Sequence, residues 1–318
     1  MNAIAQTEAE RMERRLLQRL RADPNTRSQA AAEWLQRSAS LAGTQRLHEL
    51  ARQSRDPFVI ALALQRPCPP NTSCRSVEPG LWAEVEPNNL QAALLAAAQR
   101  TGEPAQQRWS RLLQTTEDNK QVSELIRVLE QHQPDAHDTV FLRDTQLALL
   151  IGYRSAAEAA SWPSLRDLNS ACRSTDLGLD RGRICEGVAE KLWASSGADV
   201  LRNVMALALV RGLPARAAQW QARAQQAEAV RQWTSERMTV EIEQLIASMD
   251  CKRAPATSPW RRKATADSEW AFIRSEMIQA GADEQALAER YRAHEGRGLL
   301  EPRPAASAAA MTAASAGK

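Results

Sequence analysis

The sequence predicts an all-α protein of irregular stacked helix hairpins, with one long helix and a C-terminal helix pair. Three observations carry this expectation. The apolar share of 43% comes mainly from Ala and Leu, while Val, Ile, Tyr and Phe are scarce; helices favour the former and strands the latter. Gly and Pro number only 13 and 15 in 318 residues, as short loops between helices require. Helix-start signals recur along the chain at spacings that suit helix hairpins.

In order, the segment Thr7–Glu10 (TEAE) fits a capping box, in which a hydroxyl and a Glu satisfy free amides of the first turn. Ser155–Glu158 (SAAE) fits it too, and Asp118–Gln121 (DNKQ) resembles it with an Asp cap. Asp23-Pro24, Asp56-Pro57, Glu86-Pro87 and Glu103-Pro104 each place an acid before a proline. The acid suits the positive end of the helix dipole, and proline at the first helical position forfeits no helical hydrogen bond.

The intervals Pro24–Pro57, Pro57–Pro87 and Pro87–Pro104 are 33, 30 and 17 residues. A helix hairpin with its turns takes about 34 residues in one well-known repeat class. The stretches Ala22–Ala39 (ADPNTRSQAAAEWLQRSA) and Glu84–Gln99 (EVEPNNLQAALLAAAQ) resemble joints of tetratricopeptide repeats, over roughly residues 20–115. That resemblance implies stacked helix pairs in a superhelix, holding a peptide or partner protein in a concave groove. The departures are specific. Ala30 or Ala93 stands where the family places an aromatic, and Trp34 replaces the small residue that Ala97 supplies in the other unit. The Ala-rich helical chain with paired cysteines is also similar to uncharacterised bacterial envelope proteins.

Further along, Asp138–Tyr153 shows a broad apolar helical face, and Ile184, Val188 and Leu192 recur four apart before Gly197 as a stop. The apolar run Val204–Val210 (VMALALV) reads as a core helix. From Pro214 to about Met249, Trp220, Ala224, Ala227, Val230 and Trp233 define one face of a long helix, with a break near Thr234-Ser235 equally allowed. The expected division is a helical domain over 1–250, a linker over 251–267, a helix pair over 268–296 turning at Gly281 with Asp283 as cap, and a disordered tail over 297–318.

Net charge is +3 and the charges are interleaved, so nucleic acid is not an expected partner; the cluster Pro259–Lys263 (PWRRK) reads as a solvated loop. No apolar run reaches the roughly 18–20 residues of a membrane span. The N-terminal segment lacks the apolar core of a secretory signal, so the chain as written is expected in the cytoplasm. The cysteines pull the other way. Cys68 and Cys74, and Cys172 and Cys185, are spaced to close short loops, either as disulfides of an oxidising compartment or as separate thiols, with Cys251 left over. Periplasm or envelope would then require a start upstream.

No phosphate-binding glycine loop, zinc-protease helix or nucleophile elbow is present, so neither a catalytic residue nor a cofactor is assigned. The one dense polar group is His132–Asp138 (HQPDAHD). His132, His137, Asp135 and Asp138 suit a metal or acid–base chemistry, yet turn and capping chemistry accounts for the same residues. Among nine tryptophans, Trp34, Trp109, Trp193, Trp220 and Trp233 are expected to fill gaps between Ala-rich helices, whereas Trp82, Trp162 and Trp260 are expected as exposed contacts. The leading expectation is a non-enzymatic scaffold that binds a protein or peptide. Beside it stand an all-α enzyme using the His132/His137 region and a disulfide-stapled structural protein of the bacterial envelope.

Overall fold

A computed structural model describes residues 3–36, 40–115, 121–132, 164–174, 177–194, 200–211, 213, 218–247 and 268–301. Among these residues the chain is all-helical, without a sheet. In the first part, α1 (Ala3–Ala22), α2 (Thr26–Leu35), α3 (Leu41–Ser54), α4 (Pro57–Leu64), α5 (Pro79–Val85) and α6 (Leu90–Gln99) each pack on the next, which fits a helical stack. After α7 (Ala105–Ser110) and a 3-10 turn, α8 (Gln121–Gln131) returns to lie on α2 and α4. Then follow α9 (residues 164–173), α10 (Arg181–Ala194), α11 (Val200–Val210), α12 (Ala218–Ala247), α13 (Glu269–Gln279) and α14 (Glu284–Glu295).

The starts show how proline and acid are used. Only Asp56-Pro57 follows the expected device, with Asp56 accepting the Phe58 N–H at 2.9 Å and Pro57 opening α4. At the other sites the proline stands earlier than expected. Asn25 caps α2 and Asn89 caps α6, because an Asn in extended backbone reaches the free amides that an acid two or three residues back cannot. Pro104 is itself the cap of α7. The displaced acids tie the turns: Asp23 accepts from the Asn25 N–H at 2.9 Å and the Ser28 hydroxyl at 2.7 Å. Thr7 lies inside α1, which starts at Ala3, so it is not a cap. Asp283 caps α14 as expected, after Gly281 in the left-handed region at φ 65°. The SAAE segment, Gly197 and the apolar helix expected over 138–153 lie outside the described residues.

Three apolar clusters share helices. The first joins α1 to α5 with Leu125, Val128 and Leu129 of α8. The second centres on α10 and α11. Helix α6 belongs to both, with Ala92 in the first and Leu90, Leu94 and Ala97 in the second. Helix α12 runs 30 residues without the break allowed at Thr234, about 45 Å long. It gives Trp220, Ala224 and Ala227 to the second cluster and Ala229 and Val230 to the third, where Leu287 and Ala288 of α14 pack. The C-terminal pair is thus seated on α12, and Glu236 receives Arg290 at 3.0 Å across that contact.

The expected disordered tail begins too early. Residues 297–301 are packed: the buried Glu228 carboxylate accepts the Leu299 N–H at 2.7 Å, and Arg211 Nε donates to the Leu299 carbonyl at 2.8 Å. Leu299 and Leu300 add apolar bulk to the central cluster, which the Ala-rich remainder lacks. The linker 251–267 and residues 302–318 lie outside the described residues.

Candidate functional site

Of the polar group His132–Asp138, only His132 lies among the described residues. His132 ends α8; its Nδ1 lies 2.8 Å from the Val128 carbonyl and its Nε2 2.8 Å from Asp23 Oδ2. Both ring nitrogens face oxygen acceptors, so His132 pins the end of α8 to the α1–α2 turn. His137, Asp135 and Asp138 lie outside the described residues, as do Trp162 and Trp260.

Trp82 is corrected from exposed contact to core: it is 1% exposed. Its Nε1 donates to Glu86 Oε2 at 2.7 Å, and Asn89 Nδ2 reaches the same oxygen at 3.1 Å. A tryptophan near a helix end is buried here because the hairpin α5–α6 folds that end inward. The helix-borne tryptophans do fill gaps: Trp34, Trp109 and Trp220 are buried, and Trp193 stacks edge-on between Trp220 and Trp270 at 6.3 and 5.3 Å.

Both expected cysteine pairs are at bonding distance, Cys68–Cys74 and Cys172–Cys185. The first closes the Pro-rich loop between α4 and α5, which α3 holds from below. His48 Nδ1 accepts the Val77 N–H at 3.0 Å, so the ring proton sits on Nε2 and is donated to the Arg66 carbonyl at 2.8 Å. The donor atoms of His48, Cys68 and Cys74 lie within 4.8 Å of one another, the one such metal-ligating trio among the described residues. With the cysteines bonded to each other and both imidazole nitrogens engaged, the trio staples the loop and has no free lone pair aimed at a metal.

Burial, with Arg52 adding repulsion against the Arg66 hydrogen bond, holds the His48 imidazole below its ordinary pKa of 6.5. A lowered value means that the unfolded chain takes up this proton first as the pH falls. The His48 contribution is therefore intact above 6.5 and is lost as the pH drops through the lowered native value. Protonation also sets one N–H against another at Val77. Hydrogen exchange of the Val77 amide, corrected for intrinsic rate, is expected to accelerate as the pH is taken down below 6.5. Unchanged protection there would show that His48 does not hold the loop.

Among the described residues, a place that can receive a ligand lies between α9 and α11. It is a half-open groove of about 780 Å³, within the size range of ligand sites. Helix α11 supplies an apolar wall from Val200, Leu201, Val204, Met205 and Ala208. These positions recur at three- and four-residue steps and share one helical face. Helix α9 supplies the opposite wall from Arg166, Asn169 and Arg173, again one face, with the two arginines seven residues or about 10 Å apart. Arg211 and Arg231 add two more guanidinium groups, and Glu269 one carboxylate.

These charges are not equivalent. A Glu269 oxygen accepts the Val200 N–H at 3.3 Å, so that carboxylate caps the exposed amides at the head of α11. Arg211 is anchored on the Leu299 carbonyl, which Arg211 Nε reaches at 2.8 Å. Arg231 lies 5.4 Å over the Tyr291 ring. Arg166 has its exposed neighbour Asp167 at 3.8 Å. Among the described residues neither Arg173 nor Arg231 forms an ion pair, and Asn169 Oδ1 has no hydrogen-bond partner.

Sequence reasoning missed every one of these groove residues. The available signal is the seven-residue spacing Arg166–Arg173, and Arg211 directly after VMALALV, a run that reads as a core helix. Val200, Leu201 and Val204 are only half-buried. Comparisons of the chain with protein-family models, curated proteins and solved structures find no match. Fold and groove together define a class: an all-α helical stack with an apolar groove edged in arginine.

Proposed function

We propose that the chain is a non-enzymatic, tetratricopeptide-like scaffold that binds a protein or peptide segment in the groove between α9 and α11. The supporting observation is the groove itself, an apolar helix face left half-open beside a polar one. An amphipathic segment docks by laying its apolar side chains on such a face. Stacked helices suit this work, since each is held by its neighbours and the surface they present is rigid. No step of chemistry is needed to explain any residue of the groove.

The test is selection of peptides from a displayed random library on the full chain. Enriched peptides are expected to bind wild type and to lose binding to Val204→Asp, which sets a charge in the middle of the apolar wall. Leu179→Asp, at a fully exposed position outside the groove, is expected to bind as wild type does. Peptides that bind Val204→Asp unchanged, or a selection that enriches none, would remove the groove as the binding site.

A further inference from the structure

We propose that the occupant of the groove is an acidic amphipathic segment of a partner protein, with apolar side chains on α11 and carboxylates on the arginines. This inference rests on the groove being a peptide site and adds the chemistry of the peptide. Among the described residues four guanidinium groups line the groove against one carboxylate, and that carboxylate accepts the Val200 N–H. Two of the four, Arg173 and Arg231, have no acidic partner among the described residues. Guanidinium is the cation best shaped to take a carboxylate through two parallel hydrogen bonds.

The two walls narrow the choice of anion. A nucleic-acid backbone would use the arginines and leave the Val200–Ala208 face against phosphate and sugar, burying nothing apolar. A lipid chain would use that face but meet Arg166, Asn169 and Arg173 along its other side, which is polar among the described residues. A peptide with alternating character satisfies both walls. Its carboxylates need to recur about 10 Å apart to meet Arg166 and Arg173, which two turns of a helix provide. Asn169 stands between those arginines on the same helical face.

The probes are three fluorescein-labelled synthetic peptides with the same Leu positions and with Glu, Gln or Lys at the others, titrated against the full chain by anisotropy. The Glu peptide is expected to bind about tenfold or more tightly than the Gln peptide, with an advantage that shrinks as salt rises. The Lys peptide is expected not to bind. Arg173→Glu and Arg231→Glu are expected to erase the Glu preference, while the exposed Arg75→Glu, far along the chain in the stapled loop, leaves it intact. Both groove variants are checked for wild-type helical content by circular dichroism.

Equal binding of Glu and Gln peptides, lost in Val204→Asp, would overturn the acidic preference and leave the peptide site standing. Binding of none of the three would remove both. Anionic vesicles or a single-stranded oligonucleotide that bind in an Arg173-dependent way while the Glu peptide does not would overturn the proposal in favour of a membrane or nucleic acid.

Discussion

Trp82→Ala is expected to lower stability by about 3–5 kcal/mol, read from urea denaturation followed by far-UV circular dichroism. Trp82 is among the largest fully buried side chains of the first cluster, beside Phe58 and the aliphatic residues of α4. Helix α5 has only seven residues, too few to persist alone, so its place depends on what it buries. Truncation opens a cavity at the root of the α5–α6 hairpin and removes a donor from Glu86 Oε2, which keeps Asn89 at 3.1 Å and Gln121 at 3.4 Å. Trp82→Phe separates the two effects. It preserves most of the packing and deletes the indole N–H, so it is expected to cost only about 1 kcal/mol, since Glu86 is not left unsatisfied. A loss below about 1 kcal/mol for Trp82→Ala would be incompatible with a packed core at this position.

Caps show what was legible in the sequence. Asp56 and Asp283 work locally, on amides two and three residues ahead, and such work is written in adjacent letters, whereas Asn89 takes the place expected of Glu86-Pro87. The helical class was legible for the same reason, because Ala, Leu and capping residues act over a turn or two. Trp82 was not, since only the return of α6 decides whether a helix end faces water. Asp23 and His132 make the point at longer range. Each reads as an ordinary turn or helix-end residue, and their 2.8 Å contact joins positions 109 apart.

The groove was the least legible feature. Its arginines come from α9, the end of α11 and α12: Arg166 and Arg231 have acids close by in sequence, Asp167 and Glu228, and Arg211 follows an apolar run that reads as core. Interleaved charge along the chain does not mean interleaved charge in space. The fold spends Glu228 on Leu299 and Arg292, Glu190 on Arg223, and Glu269 on the head of α11. Among the described residues, what remains facing the groove is mainly cationic, although the whole chain carries a net charge of only +3. Glu228 also explains why Leu299 packs here: burial pushes its carboxyl above the ordinary range, and the Leu299 N–H and Arg292 act against that shift. The donor that relieves this buried acid belongs to the residue whose carbonyl anchors Arg211 at the groove.

Removal of the Cys172–Cys185 pair as Cys172→Ala/Cys185→Ala is expected to cost about 3 kcal/mol, and removal of Cys68–Cys74 about 2 kcal/mol. The difference follows from the loops closed, of sequence separation 13 and 6, since the longer one removes more freedom from the unfolded chain. The first pair is also buried in the central cluster, at 1% and 0% exposure, whereas the second lies in a half-exposed loop. Their consequences for binding differ more sharply. Cys172 precedes Arg173 on α9 and Cys185 lies on α10, so this bond fastens the basic wall of the groove to the helix that packs on α11. Loss of the bond leaves that wall free to shift, and the Glu peptide is expected to bind Cys172→Ala/Cys185→Ala more weakly than wild type. Cys68→Ala/Cys74→Ala, in the first part of the chain, is expected to bind normally. Thiol titration of denatured, unreduced protein supplies the condition for both results. One reactive thiol, from Cys251, supports both bonds and an oxidising compartment, the setting that a disulfide-stapled envelope protein requires. Five would reject the bonds, and with them the stapled reading and the role of Cys172–Cys185 in holding the groove.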